Sequence, residues 1–281
     1  MIARCTSGTT QFDADISRPI HISIPLDFHG SQANAYNVQR ATAEALRTDA
    51  MIGDTRLGGS CNFEVYTLVP HCNGTHTECI GHLTDERVSI HETLRDTLIP
   101  ATLVSVTPVP ATMCDESYIP EERSSDFLLT AASLQRVIED TPISFLSALI
   151  IRTMPNGPDK KFRDWDAHPA PFFSLEAMRL IAVSGIRHLL TDVPSLDRAS
   201  DEGKLSAHRC YWALPAEGHA LPDTARRDRT VTELVYVPDS VPDGLYLLNL
   251  QIANFTADAA PSRPVLFPIL TTPGGTHDPT P

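Results

Sequence analysis

The sequence has no long apolar run, which excludes a membrane-spanning helix by length. Its longest nearly apolar stretch covers the seven residues 145–151, whereas a transmembrane helix needs about 20 residues. The first thirty residues also lack the apolar core of a secretory signal, since charged residues and prolines interrupt them. We therefore expect a cytosolic protein with no membrane partner.

Basic residues are scarce as well. The 281 residues include 22 lysines and arginines against 35 aspartates and glutamates, which gives a formal net charge of −13. Proteins bind nucleic acid largely through Lys and Arg side chains that displace counterions from the phosphate backbone. Because this chain is acidic and has no Lys/Arg-rich run, nucleic acid is not expected as its main partner.

The cysteines do not form a pattern typical of a disulfide framework. Six cysteines are scattered along a long chain for which we expect no signal peptide, and a reducing compartment keeps such residues as thiols. Any cysteine with a special role is therefore expected to be a metal ligand or a nucleophile. The six are Cys5, Cys61, Cys72, Cys79, Cys114 and Cys210.

The chain shows no internal repeat and no long linker, so we expect one main domain. Hydrophobic residues make up 42% of the sequence, which is enough to bury a sizeable core in a chain of this length. Residues 1–12 are expected to form a loose arm and residues 13–269 the domain. Residues 270–281 are rich in turn formers and are expected to form a frayed tail.

Local patterns predict more strands than helices. Alternating or β-branched apolar residues predict strands, and cap residues followed by helical periodicity predict helices. The predicted strands are 20–26, 62–69, 101–109, 147–152, 188–192, 230–237 and 245–252, and the predicted helices are 41–46, 130–138 and 174–184. Strands interleaved with a few helices indicate an α/β fold with a single mixed sheet and surrounding helices.

The densest group of reactive side chains lies at residues 70–82. This segment holds three histidines, two cysteines and one glutamate. Gly74 and two threonines disfavour a helix, so we expect an extended chain, in which alternate side chains share a face. One face then carries Cys72, His76 and Glu78, with His82 if the extension continues, and the other face carries His71 and Cys79.

Thiolate, imidazole and carboxylate groups are typical ligands of zinc and similar divalent ions. Cys72, His76 and Glu78 therefore form a candidate metal site, and a catalytic site keeps one position open for water, whose pKa the metal lowers. His82 is expected outside the ligand set, free to move a proton. Each of these residues alone is more often structural than functional, and Cys79 is expected to be a small buried thiol.

Four residues farther along the chain are further candidates. Glu233 lies in the middle of the predicted strand 230–237, where an unpaired buried carboxylate is costly. If that face is core, the carboxylate needs a metal, a cation or a proton. His208 lies in a polar segment and alone would be a surface histidine. Asp192 and Asp197 flank a Pro-Ser loop, where they either hydrogen-bond ligand histidines or form an ordinary turn.

These segments resemble the metal-dependent cyclase-like hydrolases, a family that includes bacterial kynurenine formamidase and isatin hydrolase. The family signature reads His-x-Gly-Thr-His-x-Asp-x-Pro-x-His, and residues 72–82 read Cys-Asn-Gly-Thr-His-Thr-Glu-Cys-Ile-Gly-His. The Gly-Thr-His core and the last histidine match, whereas Cys72, Glu78 and Ile80 replace His, Asp and Pro. Downstream, the family's Asp-x-x-Ser-x-Asp loop, histidine, strand glutamate and Pro-x-Arg segment are similar to residues 192–197, His208, Glu233 and residues 261–263.

The resemblance implies a swivelling β/β/α fold and a ligand set. Cys72, His76 and Glu78 would hold a first metal, and Glu78 would bridge to a second metal held by His208 and Glu233. His82 would be the catalytic histidine. The resemblance further implies one or two divalent ions per chain, with zinc expected and manganese as the alternative, and a homodimer or homotetramer.

The implied activity is hydrolysis of a small-molecule substrate, an aryl formamide such as N-formylkynurenine or a cyclic amide such as isatin. A metal-activated water would attack the carbonyl carbon, and His82 would carry a proton to the departing nitrogen. Two alternatives remain open. One is a metal-binding family member without catalytic activity, and the other is a metal-free hydrolase that uses Cys72 as its nucleophile.

Overall fold

A nine-stranded mixed sheet organises the chain in the computed structural model, which describes residues 1–270. The strands in this part are β1 (Ile2–Ser7), β2 (Thr10–Asp15), β3 (Ile20–His21), β4 (Thr42–Ala45), β5 (Glu64–Thr67), β6 (His76–Cys79), β7 (Leu98–Val106), β8 (Val109–Pro110), β9 (Phe127–Leu129), β10 (Ala148–Thr153), β11 (Phe172–Phe173), β12 (His188–Thr191), β13 (Thr230–Glu233), β14 (Gly244–Asn249), β15 (Ala259–Pro261) and β16 (Val265–Pro268). The helices are α1 (Pro70–Asn73), α2 (Ile90–Thr93), α3 (Ala131–Asp140), α4 (Leu175–Val183) and α5 (Ser206–Trp212).

The large sheet has the strand order β15-β6-β13-β12-β10-β7-β14-β16-β3. Its central strands β13, β12, β10 and β7 run parallel, and the outer strands pair antiparallel. Parallel strands are normally covered on both faces. In β10, Leu149 and Ile151 accordingly pack into one apolar cluster and Ala148 and Ile150 into another. The expected α/β fold built on a mixed sheet is confirmed, and three smaller sheets, β1-β2, β4-β5 and β11-β9-β8, accompany it within residues 1–270.

Helices α3 and α4 cover one face of this sheet. The side chains of Thr130 and Ser174 cap them, each accepting a hydrogen bond from the backbone N–H three residues later, at 3.2 and 3.0 Å. Leu134 and Met178 are fully buried in the same cluster as Leu149. The predicted helices 130–138 and 174–184 are therefore confirmed. None of the helices within residues 1–270 combines the length and apolar character that a membrane span requires.

Two predictions of local structure are wrong. Residues 41–46, predicted as a helix, contain strand β4, which pairs antiparallel with β5. A short segment gains little from helix propensity alone, so pairing with a neighbouring strand outweighs it. The predicted strand 20–26 is cut to Ile20–His21, because beyond it Ser23 forms only an isolated bridge with Val235 and the N–H of Ile24 donates to the Thr75 hydroxyl.

The start of the chain also differs from expectation. Residues 1–12, expected as a loose arm, form most of the hairpin β1–β2. Arg4 and Asp13 form an ion pair across it at 2.9 Å, and Phe12 is buried against Phe145, with ring centroids 4.9 Å apart. Burial of this aromatic ring anchors the hairpin. The tail expected at 270–281 lies, apart from its first residue, outside the described residues.

Candidate functional site

Three buried polar side chains face one another on strands β6 and β13. The two strands are antiparallel, and their register places His76 opposite Glu233. Glu78 follows two residues after His76 and therefore shares its face. His76, Glu78 and Glu233 are exposed by no more than 3%. The Nε2 atom of His76 lies 3.3 Å from Oε2 of Glu233.

Helix α5 adds His208 to this group. Its Nε2 atom lies 2.9 Å from Oε1 of Glu78 and 3.4 Å from Oε1 of Glu233. Its Nδ1 atom lies 2.5 Å from Asp197, which also accepts the backbone N–H groups of Ala207 and His208 at the start of the helix. Asp197 thus fixes both the helix and the ring, and Nε2 is left to face the two glutamates.

His71, and not Cys72, contacts Glu78. The Nδ1 atom of His71 lies 2.9 Å from Oε2 of Glu78. The expected extended chain is wrong at this point, because Pro70–Asn73 forms one helical turn whose last two N–H groups bond to the Val69 carbonyl. Proline fits the first position of a helix, where no N–H is needed. The turn rotates the side chain of residue 72, so this side chain no longer lies on the same face as those of residues 76 and 78.

Cys72 is buried near the site but belongs to none of the groups of potential ligand atoms found within residues 1–270. Burial raises the pKa of its thiol to about 11. The nucleophilic form of cysteine is the thiolate, and this thiol is protonated at neutral pH. Burial therefore disfavours the thiolate that a metal-free Cys72 nucleophile would need.

Three sets of donor atoms in the described part of the chain lie close enough to hold an ion, each set within 4.8 Å. They are His71, His76 and Glu78; Glu78, His208 and Glu233; and His71, His82 and Asp258. The first two sets share Glu78. A carboxylate with two oxygens can serve two ions, as in the two-metal sites of hydrolytic enzymes.

The histidine rings are held as metal-binding histidines usually are, with the second ring nitrogen on an acceptor. The Nδ1 atom of His76 lies 3.0 Å from the Gly74 carbonyl oxygen. Its Nε2 atom is buried without a hydrogen-bond partner, since the contact with Glu233 lacks hydrogen-bond geometry. A ring nitrogen without a proton that faces a carboxylate calls for a cation between them. The residues therefore fit a divalent ion.

The histidines and carboxylates of the site shift one another's pKa values, so that His71 holds a proton more tightly and Glu78 less tightly than usual. Burial alone would raise the pKa of Glu78, but the charges of His82 and His208 hold it well below its usual range. Burial would lower the pKa of His71, yet hydrogen bonds to Asp258 and Glu78 raise it to about 10. Metal binding displaces such protons and supplies the positive charge in their place.

His82 lies at the rim of the site. It ends a 3₁₀ turn, Ile80–His82, which Gly81 permits, since a Cβ there would lie 2.1 Å from the Val88 carbonyl oxygen. Its side chain is 28% exposed, and its Nε2 atom lies 3.9 Å from Glu78. A histidine that reaches both solvent and the buried carboxylate is placed to move protons.

The site also includes residues that the sequence did not reveal. A pocket of about 260 Å³ opens over the buried group, and Tyr36 forms part of its wall. Tyr36 has a left-handed backbone (φ 62°), and although 40% of the residue is exposed, burial around its hydroxyl raises the pKa of that group, which stays protonated. Asp258 contacts both His71 and His82. Neither Tyr36 nor Asp258 lies in a motif whose spacing indicates a site, whereas His71 directly precedes the motif at residues 72–82.

Asp192 and Asp197, the two aspartates of the Pro-Ser loop, have different roles. Asp197 contacts His208, which agrees with the interpretation that these aspartates hydrogen-bond ligand histidines. Asp192 instead accepts the N–H and hydroxyl of Thr153 at 2.9 Å and the ammonium of buried Lys160 at 2.8 Å. It therefore anchors the loop and contacts no ligand histidine.

The sequence matches the model of the Cyclase family, described as "Putative cyclase", over residues 14–198, which is more than half of the chain. No curated protein matches it. Similar solved structures include isatin hydrolase A from Labrenzia aggregata bound to benzyl benzoate, at 16% identity and a TM-score of 0.59, with 89% of this chain and 93% of that chain covered. An isatin hydrolase bound to the product analogue thioisatinate has 12% identity and a TM-score of 0.60, covering 89% and 92%. A predicted metal-dependent hydrolase from Bacillus stearothermophilus has 16% identity and a TM-score of 0.56, covering 89% and 98%. At these identities the likeness is one of fold.

Proposed function

Because the chain belongs to the cyclase family, we propose that it is a metal-dependent hydrolase that cleaves the C–N bond of an aryl formamide or a cyclic amide. The observation that carries the proposal is the pair of ligand sets that share Glu78, in which every residue but His71 is buried. Within it, the Nε2 atom of His76 has no hydrogen-bond partner. Such an arrangement is costly without a cation and stable with one.

His71, His76 and Glu78 would hold one ion, and Glu78, His208 and Glu233 a second. His71 thereby takes the place that residue spacing indicated for Cys72, and the set becomes one of imidazoles and carboxylates. Zinc and manganese both accept such ligands. An ion bound here would polarise the substrate carbonyl and lower the pKa of a water ligand.

The chain's own residues supply the proton transfer and the orientation of the substrate. His82 takes a proton from the attacking water at Nε2 and returns it to the departing nitrogen. The protonated hydroxyl of Tyr36 lies in the pocket wall and donates a hydrogen bond to a substrate oxygen. Such donors stabilise the charge that develops on a carbonyl oxygen during attack.

The substrate class rests on the pocket and on the likeness of fold. The pocket of about 260 Å³ suits a small molecule. Two of the similar structures are isatin hydrolases, one of them bound to a product analogue. A cyclic or formylated aryl amide is therefore the first substrate class to test. We further propose that the protein is a homodimer or homotetramer in the cytosol.

The test is hydrolysis of a small panel by the full chain, with and without a chelator. The panel contains isatin, N-formylkynurenine, N-formylaniline and a lactone. We expect turnover of at least one amide, its loss on chelation and its return when zinc or manganese is added. If the zinc-loaded and manganese-loaded proteins both leave every amide intact, the hydrolase proposal is wrong and a metal-binding family member without catalytic activity is favoured.

A further inference from the structure

Asp258 is held in place by the backbone of the sheet. It directly precedes β15, which pairs antiparallel with β6 and places Ala259 opposite Glu78. The backbone N–H of Cys79 donates to the Asp258 carbonyl oxygen at 3.0 Å, and the N–H of Ile90 donates to the Ala257 carbonyl oxygen at 2.8 Å. The carboxylate of Asp258 is therefore fixed relative to β6 by main-chain hydrogen bonds.

That carboxylate contacts two histidines through one oxygen. Its Oδ2 atom lies 2.9 Å from Nε2 of His71 and 3.4 Å from Nδ1 of His82. The two imidazole rings stack with their centroids 4.2 Å apart. An ionised carboxylate only accepts hydrogen bonds, so Nε2 of His71 carries the hydrogen of its bond to Asp258, and the same carboxylate favours a hydrogen on Nδ1 of His82, which faces it at 3.4 Å.

In the neutral imidazole, which is the form that binds an ion or accepts a proton, the second hydrogen is gone and the other ring nitrogen carries the lone pair. For His71 this is Nδ1, which lies 2.9 Å from Oε2 of Glu78. For His82 it is Nε2, which lies 3.9 Å from the same oxygen. The carboxylate of Asp258 thus orients both lone pairs towards Oε2 of Glu78.

We propose that Asp258 is a positioning residue that sets the tautomers of both His71 and His82. His71 then binds metal through Nδ1, and His82 accepts a proton at Nε2. The role of His82 rests on the proposed function, whereas that of His71 needs only a bound ion. Asp258 is in this way the link between metal binding and proton transfer.

A competing arrangement predicts the opposite tautomers. His71, His82 and Asp258 also form one of the three possible ligand sets. An ion held there needs lone pairs on Nε2 of His71 and Nδ1 of His82, which moves the hydrogens to the opposite ring nitrogens. The tautomer of His82 in the zinc-loaded protein therefore decides between the two arrangements.

The first measurement is long-range ¹H–¹⁵N NMR of the zinc-loaded full chain, with the His82 signals assigned by their loss in His82→Gln. We expect a hydrogen on Nδ1 of His82 in the wild type, in Asp258→Glu and in the control Asp85→Asn. Asp85 is an exposed carboxylate that borders the same surface cavity as Asp258. In Asp258→Asn we expect the hydrogen to redistribute to Nε2. A hydrogen on Nε2 of His82 in the wild type overturns the proposal.

The second measurement is zinc affinity by competition with a chromophoric chelator. Loss of the acceptor behind a metal-binding histidine typically costs about 10- to 100-fold in affinity. We expect a loss of that size in Asp258→Asn, partial recovery in Asp258→Glu, and no change in Asp85→Asn. Unchanged affinity in Asp258→Asn overturns the proposal.

Neither measurement needs a substrate, so their results are separate from the outcome of the substrate panel. Where an active substrate is found, Asp258→Asn at saturating zinc should lower kcat more than it changes KM. A purely structural role for Asp258 would leave the His82 tautomer unchanged and is thereby distinguished. The wild-type NMR spectrum decides the matter even if Asp258→Asn does not fold.

Discussion

His76 and Glu233 lie opposite each other on neighbouring antiparallel strands, and their side chains meet 3.3 Å apart in the buried interior. The histidine nitrogen at this contact has no hydrogen-bond partner. A buried polar atom without a partner is rare in proteins because it costs free energy. A divalent ion that binds the histidine and is balanced by the carboxylate accounts for the contact.

Substitution of His76 should therefore remove the metal. In His76→Ala we expect zinc affinity to fall by at least about 100-fold, since the loss of outer partners alone already costs about 10- to 100-fold. Hydrolysis should fall with it. The control is His91→Ala, which removes an exposed histidine on α2 and should bind zinc like the wild type. A His76→Ala protein that keeps both metal and activity shows that the site is misassigned.

Substitution of His82 should separate metal binding from turnover. His82 is 28% exposed and lies 3.9 Å from Glu78, so we expect His82→Ala to keep its zinc. Because general acid–base catalysis contributes about 10²- to 10⁴-fold, kcat should fall by a factor in that range. Zinc content by elemental analysis and kcat on the best panel substrate test this. Loss of zinc together with activity would instead make His82 a ligand.

A comparison of His71 with Cys72 tests which of them is the ligand. His71 lies 2.9 Å from Glu78, whereas Cys72 is in none of the ligand sets of residues 1–270. We expect His71→Ala to lower zinc affinity by at least about 100-fold and Cys72→Ser to leave affinity and turnover nearly unchanged. The opposite result would return Cys72 to the ligand set that the sequence indicated. Turnover that resists a chelator but is lost in Cys72→Ser would identify a thiol nucleophile.

His188 should make the stability of the fold depend on pH. This histidine is buried beside Thr230 and Asp96, and burial lowers its pKa from the usual 6.5. In the unfolded chain the ring takes up a proton near pH 6.5, while in the folded chain it does so only at lower pH. The unfolded state thus binds more protons in this window, and stability falls as the pH falls from about 6.5 towards the folded-state pKa.

The measurement is urea unfolding of the wild type and His188→Gln at pH 7.5, 6.5 and 5.5. The free energy of unfolding should decline with falling pH more steeply in the wild type than in His188→Gln. The difference between the two proteins isolates His188 from the other titrating groups. Equal slopes would show that the buried ring does not titrate in this range.

Local signals account for the part of the fold that could be predicted. The side chains of Thr130 and Ser174 cap their helices within a few residues, and β10 is buried on both faces as an apolar strand. Residues 41–46 could not be predicted in this way, because their partner strand β5 begins nearly twenty residues later. The structure of such a short segment depends on contacts with residues outside it.

The same distinction applies to the site. His76, Glu78, His208 and Glu233 were candidates from the sequence, and the structure brings them together. The choice of His71 over Cys72 depends on one helical turn that bonds to the Val69 carbonyl, which residue spacing does not show. Asp258 reaches the site through the pairing of β15 with β6, a contact between segments far apart in the sequence.

The zinc affinity of Glu78→Gln is the decisive measurement for a divalent-ion site built around Glu78. Glu78 faces both His71 and His208 at 2.9 Å, so neutralising it weakens both ligand sets. We expect Glu78→Gln to bind zinc at least about 100-fold more weakly than the wild type, with an unchanged far-UV circular dichroism spectrum. Equal zinc affinity in the two folded proteins would contradict it.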